Sequence, residues 1–231
     1  MRTWLHRVSL AGLLLLSPAR LFERIAHDPW YRDGLFDWLN GLRLPSGTQV
    51  LELGCGPGAL ALELARRDLQ VSALDRSASM VDRVRDLAAL HDLPISIHQG
   101  DACASGLAPD SFDAVIGASL LNVVKEPMAL LQEALRLVKP GGLISFYLPN
   151  PSFRRDAVLD FIRAHRIPPS SAAILLTWSS NARALGHEQL LALFAEAGLE
   201  AAQITHHLGG MLSAVSAQRP AGSQILESVP C

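Results

Sequence analysis

Short apolar runs alternate with amphipathic segments along most of this 231-residue chain. Apolar positions three and four residues apart predict helices, and short runs rich in Val, Ile and Leu predict buried strands. The strands are predicted at Gln49–Leu53, Gln70–Leu74, Ile95–Gln99, Phe112–Gly117, Leu143–Tyr147, Ala201–His207 and Met211–Gln218. Alternation of strands and helices is typical of a parallel sheet covered on both faces, so the pattern predicts an α/β fold with a doubly wound sheet.

The predicted helices fill the intervals between these strands. Ser77 is of a residue type that favours the N-cap of the helix after the second strand. Helices are predicted at residues 19–43 (one or two segments, interrupted at Asp28-Pro29), Gly58–Arg67, the stretch after Ser77, Pro127–Val138 and His187–Ala197. The stretch from Pro151 to Gly186 has mixed character, and no element is predicted there.

The turn after the first strand carries the clearest chemical signal. Glu52 lies near the end of the apolar run, and three glycines follow at alternate positions, Gly54, Gly56 and Gly58. Glycine adopts backbone angles closed to other residues and lets ligand atoms approach the main chain. The next helix begins with free N–H groups that attract negative charge. The spacing G-x-G-x-G differs from the G-x-G-x-x-G of dinucleotide-binding proteins, which disfavours a nicotinamide oxidoreductase.

Five ordered motifs between residues 45 and 150 resemble the class I S-adenosylmethionine (SAM) dependent methyltransferases. Besides the glycine loop they are Asp75, Gln99-Gly100-Asp101-Ala102, Phe112–Gly117 and Leu137–Leu143. The resemblance implies SAM (S-adenosyl-L-methionine) as methyl donor and a Rossmann-like, mostly parallel sheet of seven strands whose last strand is antiparallel. Extra N-terminal helices and a substrate-cap insertion after strand five would complete it. We expect one domain, 1–231, made of an N-terminal helical cap (1–44), a SAM-binding core (45–150), a variable substrate-cap segment (151–186) and a C-terminal helix and strand pair (187–219).

The resemblance also implies which residues hold the donor, because ligands of doubly wound sheets bind at the carboxyl ends of the strands. The Asp75 carboxylate would accept hydrogen bonds from both ribose hydroxyls. Asp101 and the Ala102 N–H would contact the adenine, with Arg76 and Met80 beside it, although core packing is an alternative role for Met80. The expected donor-binding residues are Glu52, Gly54, Cys55, Gly56, Gly58, Asp75, Arg76, Met80, Asp101, Ala102 and Ser119.

The sequence does not identify catalytic residues. Methyl transfer needs alignment of donor and acceptor, and it needs a base only when the acceptor must lose a proton. Asn122, after strand four, is placed to orient an acceptor but cannot deprotonate it. Residues Gly117–Val124 depart from the Asn/Asp-Pro-Pro-Tyr motif of enzymes that methylate nucleic-acid bases, which favours a small-molecule acceptor. Candidate bases or substrate contacts are His27, Tyr31, His165, His187, Trp178 and Arg154.

The acceptor is predicted to be small and apolar or aromatic, since apolar and aromatic residues are frequent in the 151–186 segment. Two alternatives stay open. Residues from Asn122 to Gly142 are similar to quinone-ring C-methyltransferases, although the longer N-terminal signature of those enzymes is not evident. A non-catalytic SAM-binding subunit that regulates or scaffolds a partner is the second alternative.

Charge, cysteine content and the N-terminal apolar run bear on which partners and which cellular compartment are expected. The net charge of −2 argues against a nucleic-acid footprint. Cys55, Cys103 and Cys231 offer neither a disulfide framework nor a metal site, which suits a reducing compartment, and we expect a cytoplasmic protein without a metal. The apolar run Val8–Leu16 is too short to span a bilayer. It is interpreted as a helix packed over the core or the substrate mouth, with peripheral membrane contact or a cleaved signal as alternatives. The oligomeric state is not indicated.

Overall fold

The computed structural model of the protein describes residues 28–222. Its strands are β1 (Gln49–Leu53), β2 (Gln70–Asp75), β3 (Ile95–Gln99), β4 (Phe112–Ala118), β5 (Val138–Pro149), β6 (Gln203–His207) and β7 (Leu212–Gln218). Its helices are α1 (Pro29–Leu42), α2 (Ala59–Arg66), α3 (Ala78–Leu90), α4 (Pro127–Leu137), α5 (Arg155–Ala164), α6 (Pro169–Asn181) and α7 (His187–Glu196). His27, the predicted helix before Asp28 and the apolar run near the N-terminus lie outside the described residues.

The strands form one sheet in the order β3-β2-β1-β4-β5-β7-β6. β1 to β5 pair in parallel, and β7 runs antiparallel to both of its neighbours. The predicted fold class is thereby confirmed, including the antiparallel last strand. The strand order reverses between β1 and β4, and the carboxyl ends of the strands at such a switch point are where α/β sheets bind ligands.

Both faces of the sheet are buried because successive side chains of a strand point to opposite faces. Val50 lies in an apolar core together with residues of α1, α2 and α6. Its neighbour Leu51 lies in a second core with residues of α4 and α7. Two helical layers therefore enclose the sheet and leave the carboxyl ends of β1, β2 and β4 as the place for a site. None of the described helices is long and apolar enough to cross a bilayer.

β5 begins earlier than the sequence predicts. The sequence predicts a strand that starts at Leu143, with Gly141 and Gly142 in the turn before it, whereas the strand runs from Val138. Val138 already pairs with β4, and the register shifts before Leu143 pairs with it. Gly141 has a φ of +78°, and a Cβ at Gly142 would lie 2.6 Å from Val138 Cγ2. The two glycines therefore form an irregularity inside the strand rather than a turn before it.

Two helices, α5 and α6, occupy most of the stretch in which the sequence predicts no element. In α6 the buried Ile174 and Leu175 are followed by Thr, Ser and Asn at neighbouring positions, so a helical apolar period is weak there. The other predicted boundaries agree with the structure to within two residues. Ser77 occupies the N-cap of α3, as the sequence predicts, although its side chain makes no capping hydrogen bond.

α1 is fastened over β5 and β6 by polar and aromatic contacts. Trp38 Nε1 donates a hydrogen bond to Ser145 Oγ at 2.9 Å, and the Trp38 ring stacks on Tyr147 with centroids 5.2 Å apart. Asp37 Oδ2 lies 2.7 Å from His207 Nδ1 on β6. The helix therefore has a defined position on one face of the sheet, which brings its first turn toward the carboxyl ends of the central strands.

Candidate functional site

The glycine loop joins β1 to α2. Gly54, Gly56 and Gly58 have φ angles of 69°, 52° and 88°, a region that L side chains rarely adopt. A Cβ at Gly54 would lie 2.8 Å from Leu120 Cδ1, and one at Gly58 would lie 2.8 Å from Val84 Cγ2. At Gly56 nothing lies within 4 Å of the Cβ position. Packing therefore requires glycine at the first and third positions, and the main chain at the second is open to a ligand.

Asp75, at the end of β2, holds this loop in place. Its Oδ2 accepts a hydrogen bond from the Gly56 N–H at 2.9 Å, and its Oδ1 accepts one from the Ser77 N–H at 2.9 Å. A carboxylate oxygen has more than one lone pair, so each can accept a second hydrogen bond from a ligand hydroxyl. The carboxylate can thus tie the loop to the start of α3 and remain available to a ribose.

Glu52 is buried beside the loop, with 2% of its surface exposed. Burial raises the pKa of Glu52 well above the ordinary value of 4.5, and the negative charge of Asp75 raises it further. A hydrogen bond from the Ala61 backbone acts in the opposite direction. Its Oε2 atom has no hydrogen-bond partner. A carboxyl in such surroundings resists ionisation, and in its neutral form it can donate as well as accept a hydrogen bond.

Replacing Glu52 by Gln tests this protonation behaviour. Because the folded-state pKa is raised, the wild type loses stability as the pH rises from the ordinary value of 4.5 toward the folded-state pKa. The neutral amide escapes that loss. We therefore expect Glu52→Gln to gain free energy of unfolding relative to wild type as the pH rises above 4.5. Urea denaturation at several pH values measures this, with exposed Glu200→Gln as control; a pH-independent difference would contradict it.

The strand register brings the predicted acidic residues to one edge of the sheet. Asp75 pairs with Gln99 of β3, directly before Gly100 and Asp101. The Gly100 N–H donates a hydrogen bond to the Asp75 carbonyl at 3.1 Å. Glu52 lies on β1, between β2 and β4. Glu52 near the end of β1, Asp75 at the end of β2 and Asp101 after β3 therefore lie at neighbouring strand ends, as the sequence predicts.

The residues predicted beside the adenine differ in exposure. Asp101 is exposed, and its Oδ1 accepts a hydrogen bond from the Cys103 N–H at 2.9 Å. Ala102 and Met80 are buried, whereas Arg76 is exposed. Cys55 is also buried, and burial raises the pKa of its thiol, with the charges of Glu52 and Asp75 adding to the effect. That thiol is suited to packing within the loop and not to nucleophilic attack.

Ser119, directly after β4, faces the first turn of α1. It has a φ of +53°, and its N–H donates a hydrogen bond to the Tyr147 carbonyl at 2.7 Å. The pKa of Tyr31 is raised to about 12, chiefly by burial. The nearby Ser119 hydroxyl lowers this pKa, and the negative charge of Glu52 raises it. Tyr31, a candidate base or substrate contact in the sequence, therefore lies beside Glu52 and Ser119.

An aromatic cluster adjoins this point. It consists of Trp30, Tyr31, Phe153 and Trp178, which come from α1, the segment after β5 and α6. The Trp178 ring centroid lies 5.8 Å from that of Tyr31 and 4.6 Å from that of Phe153. Tyr31 belongs both to this cluster and to the neighbourhood of Ser119. The cluster therefore adjoins the carboxyl ends of the central strands.

Buried polar atoms without hydrogen-bond partners concentrate in the same region. Among the described residues they belong to Asp28 and Trp30 at the start of α1, Glu52 on β1, Ser119 and Asn122 after β4, and Tyr147 on β5. Folded proteins leave few such atoms unpaired, and a group of them calls for a ligand, an ion or water. Their concentration at the carboxyl ends of the central strands indicates a binding site.

Three other candidates from the sequence have their described contacts elsewhere. Arg154 is exposed and pairs with Asp156 at 3.2 Å. His165 is exposed and stacks on Phe161 with ring centroids 4.0 Å apart. His187 is exposed at the first position of α7. No described contact joins these three side chains to the glycine loop, Ser119 or the aromatic cluster.

Sequence reasoning missed Asp28, Trp30 and Tyr147. Asp28 was interpreted only as part of a helix boundary, and Tyr147 only as the end of a strand. A tryptophan or tyrosine that is buried usually finds a partner for its N–H or O–H group. The only signal in the sequence was therefore the presence of polar atoms on residues predicted to be buried.

Comparison with known proteins identifies the family of the chain. A family model described as a methyltransferase domain matches residues 50–142. The chain is 32% identical over 225 residues to the 2-phytyl-1,4-naphtoquinone methyltransferase of Thermosynechococcus vestitus, covering 86% of this chain and 97% of that protein. It is 34% identical over 159 residues to the ubiquinone biosynthesis O-methyltransferase of Albidiferax ferrireducens, covering 62% of this chain and 63% of that relative, less than two thirds of its length.

Solved structures show the same fold. A SAM-dependent methyltransferase from Aquifex aeolicus superposes with a TM-score of 0.65 at 16% identity, covering 88% of this chain and 98% of that one. The [4+2]-cyclase SpnF superposes with a TM-score of 0.60 at 20% identity, covering 80% of this chain and 81% of that one. Because a relative matched along nearly its whole length shares about a third of its residues, this chain belongs to the class I SAM-dependent methyltransferases, and S-adenosyl-L-methionine is its methyl donor.

Proposed function

We propose that this methyltransferase acts on a small apolar molecule that carries an aromatic or quinone-type ring. The observation that carries this proposal is the aromatic cluster of Trp30, Tyr31, Phe153 and Trp178, which is continuous with the surroundings of Ser119. Flat rings bind well between aromatic side chains, because stacked and edge-to-face contacts bury large apolar areas. The names of two relatives support the same class of acceptor, because one refers to a naphthoquinone and the other to ubiquinone biosynthesis.

The donor would lie along the carboxyl ends of β1, β2 and β3. The open main chain at Gly56 and the unpartnered Oε2 of Glu52 fit a ligand that is polar along its length. Asp75 would accept hydrogen bonds from the ribose hydroxyls, and Asp101 with the Ala102 N–H would contact the adenine. The remaining contacts proposed for the donor are Gly54, Cys55 and Gly58 of the loop, Arg76 and Met80 beside the adenine, and Glu52 and Ser119 at the methionine end.

The bound donor supplies an electrophilic methyl group on a sulfonium. The protein's part is to align the acceptor with that methyl group and to exclude water, which removes most of the entropic barrier to a bimolecular step. Tyr31, with its pKa raised to about 12, stays neutral at pH 7 and therefore donates a hydrogen bond instead of removing a proton. The unpartnered Oδ1 of Asn122 is available to orient a polar group of the acceptor.

The cover of the acceptor pocket would come from two separate parts of the chain. These are the described part of the N-terminal cap, residues 28–44, and the segment 151–186 that contains α5 and α6. The Ser171 hydroxyl donates a hydrogen bond to Asp28 Oδ1 at 2.7 Å, which joins the two parts directly. A pocket built between two such elements encloses a ring from both sides.

Removal of two pocket rings tests the proposal. We expect the double variant Phe153→Ala/Trp178→Ala to lose methyl transfer to ring acceptors by at least about tenfold, mostly through a higher KM, because apolar contact with the ring is lost. Transfer is measured from isotopically labelled SAM to a panel of naphthols and hydroquinones. SAM affinity, measured by calorimetry, should change little.

Phe36→Ala serves as the control, because Phe36 lies on α1 beneath the guanidinium groups of Arg32 and Arg67, outside the cluster. It should leave the KM for these acceptors unchanged. Tight SAM binding by the wild type without transfer to any acceptor would overturn the proposal in favour of a regulatory or scaffold subunit. Equal loss of activity in both variants would remove the cluster from the acceptor site.

A further inference from the structure

The junction between α1 and α6 contains two buried polar atoms that have no hydrogen-bond partner within residues 28–222. We call the side chains of Asp28, Trp30, Ser171 and Trp178 the α1–α6 junction. Asp28 Oδ2 and Trp30 Nε1 are both buried there without a hydrogen-bond partner. One is an acceptor and the other a donor. Each lowers stability unless something else completes its hydrogen bond.

Asp28 is unusual for a residue at the N-cap of a helix. Aspartate is favoured there because its carboxylate accepts hydrogen bonds from the first free N–H groups of the helix. In α1 the carboxylate makes no capping bond. Instead Oδ1 accepts the hydrogen bond from Ser171 of α6 at 2.7 Å. The side chain is therefore turned away from its own helix and into the junction, where Oδ2 stays unpaired.

Trp30 is 6% exposed. Its ring lies edge-on to Tyr31 at 5.8 Å and 6.4 Å from Trp178, measured between centroids. By contrast, the indole N–H of Trp38 in the same helix is bonded to Ser145. Trp30 is thus part of the aromatic cluster, and its N–H is a donor without a partner among the described residues.

We propose that Trp30 and Asp28 recognise oxygen substituents on the acceptor ring. The Trp30 N–H donates to a ring oxygen, and Asp28 Oδ2 accepts from a ring hydroxyl. This inference rests on the proposed function, because it places the acceptor ring in the aromatic cluster. A site that holds unpaired polar atoms discriminates strongly against a ligand that cannot pair them. The two residues therefore determine specificity for oxygenated rings over plain hydrocarbon rings.

The test compares three ring probes of the same size and different hydrogen-bonding capacity. Naphthalene has no polar group, 1-methoxynaphthalene only accepts, and 1-naphthol both donates and accepts. Equilibrium binding to protein saturated with S-adenosylhomocysteine is measured by calorimetry, so no methyl transfer is needed. We expect wild type to bind both oxygenated probes more tightly than naphthalene.

Trp30→Phe keeps an aromatic wall and removes the donor. We expect it to weaken binding of 1-methoxynaphthalene and 1-naphthol by about tenfold and to change naphthalene binding by less than about twofold. The smaller ring leaves space in a buried position, so a lower thermal midpoint without ligand is expected whichever role Trp30 has. The probes separate the roles, because a role of Trp30 in packing alone predicts equal loss for all three. Trp178→Phe, whose ring belongs to the same cluster, should not distinguish oxygenated probes from naphthalene.

Asp28→Asn separates the second contact. The Ser171 hydroxyl can still donate to the amide oxygen, which places the NH₂ group where Oδ2 lay and replaces an acceptor by a donor. We expect binding of 1-naphthol alone to fall. If both variants affect all probes alike, the inference fails while the aromatic pocket stands. If wild type binds none of the probes, the pocket and the inference fail together.

Discussion

Asp75→Ala is expected to weaken SAM binding by at least about tenfold, because a charged hydrogen bond contributes about 1.5–3 kcal/mol and two of them would reach the ribose. The substitution also removes the acceptors of the Gly56 and Ser77 N–H groups. The glycine loop then loses its tie to the start of α3, which reduces affinity further. Calorimetric titration with SAM and S-adenosylhomocysteine measures the change.

Asp75→Asn is the milder substitution at this position. The amide keeps one oxygen acceptor and the shape of the side chain, but its NH₂ group cannot accept, so one of the two backbone hydrogen bonds and one ribose contact are lost. We expect SAM affinity to fall less than in Asp75→Ala. Asp86→Ala is the matched control, since Asp86 is an exposed acid on α3. Unchanged SAM affinity in Asp75→Ala would remove Asp75 from the donor site.

Gly58→Ala is expected to lower the free energy of unfolding by about 2–5 kcal/mol, the sum of left-handed backbone strain and overpacking. Gly58 has a φ of +88°, and the new Cβ would lie 2.8 Å from Val84 Cγ2 and 3.1 Å from Val84 Cγ1. Val84 is buried and β-branched, so it has little freedom to move away. Relief of the clash must displace the start of α2, and SAM affinity should fall with it. Urea denaturation and calorimetry measure the two effects.

Gly41→Ala is the control for this substitution. Gly41 lies inside α1 with nothing within 4 Å of its Cβ position and a backbone angle that alanine accepts. Alanine should therefore raise stability by about 0.5–1 kcal/mol, as it does inside helices generally. Equal effects of the two substitutions would show that the loop tolerates a side chain and that the packing argument at Gly58 is wrong.

The donor half of the site rests on features that are local in sequence. The three glycines, Glu52 and Asp75 lie within one strand–loop–helix–strand unit, and parallel strands bring their carboxyl ends to one edge wherever helices cover both faces. The period of two in β1 and the helical period in α2 and α4 follow from short-range geometry. These elements are therefore where prediction from the pattern agrees with the structure.

The acceptor half could not be predicted in the same way. Its aromatic cluster combines Tyr31 with Phe153 and Trp178, and these residues come from elements that meet only when α6 packs on α1. The apolar period of α6 is weak, and nothing in the sequence indicates which helix it contacts. The candidate list contained Trp178 and Tyr31 but also His165, His187 and Arg154, and only the packing separated the first pair from the rest.

The pKa of a side chain and the pairing of its polar atoms likewise depend on the residues packed around it. Glu52 was recognised from its place before the glycines, yet its raised pKa follows from burial and from the nearby Asp75 charge. That Trp30 Nε1 and Asp28 Oδ2 have no partner among the described residues can be established only from the packed structure. Backbone periodicity and glycine spacing thus specified the sheet, its switch point and the donor loop, because those depend on residues close along the chain. The proposed acceptor pocket, the unpaired groups proposed to bind its ligand and the raised pKa of Glu52 arose from contacts between distant segments, because burial and pairing are properties of the packed molecule.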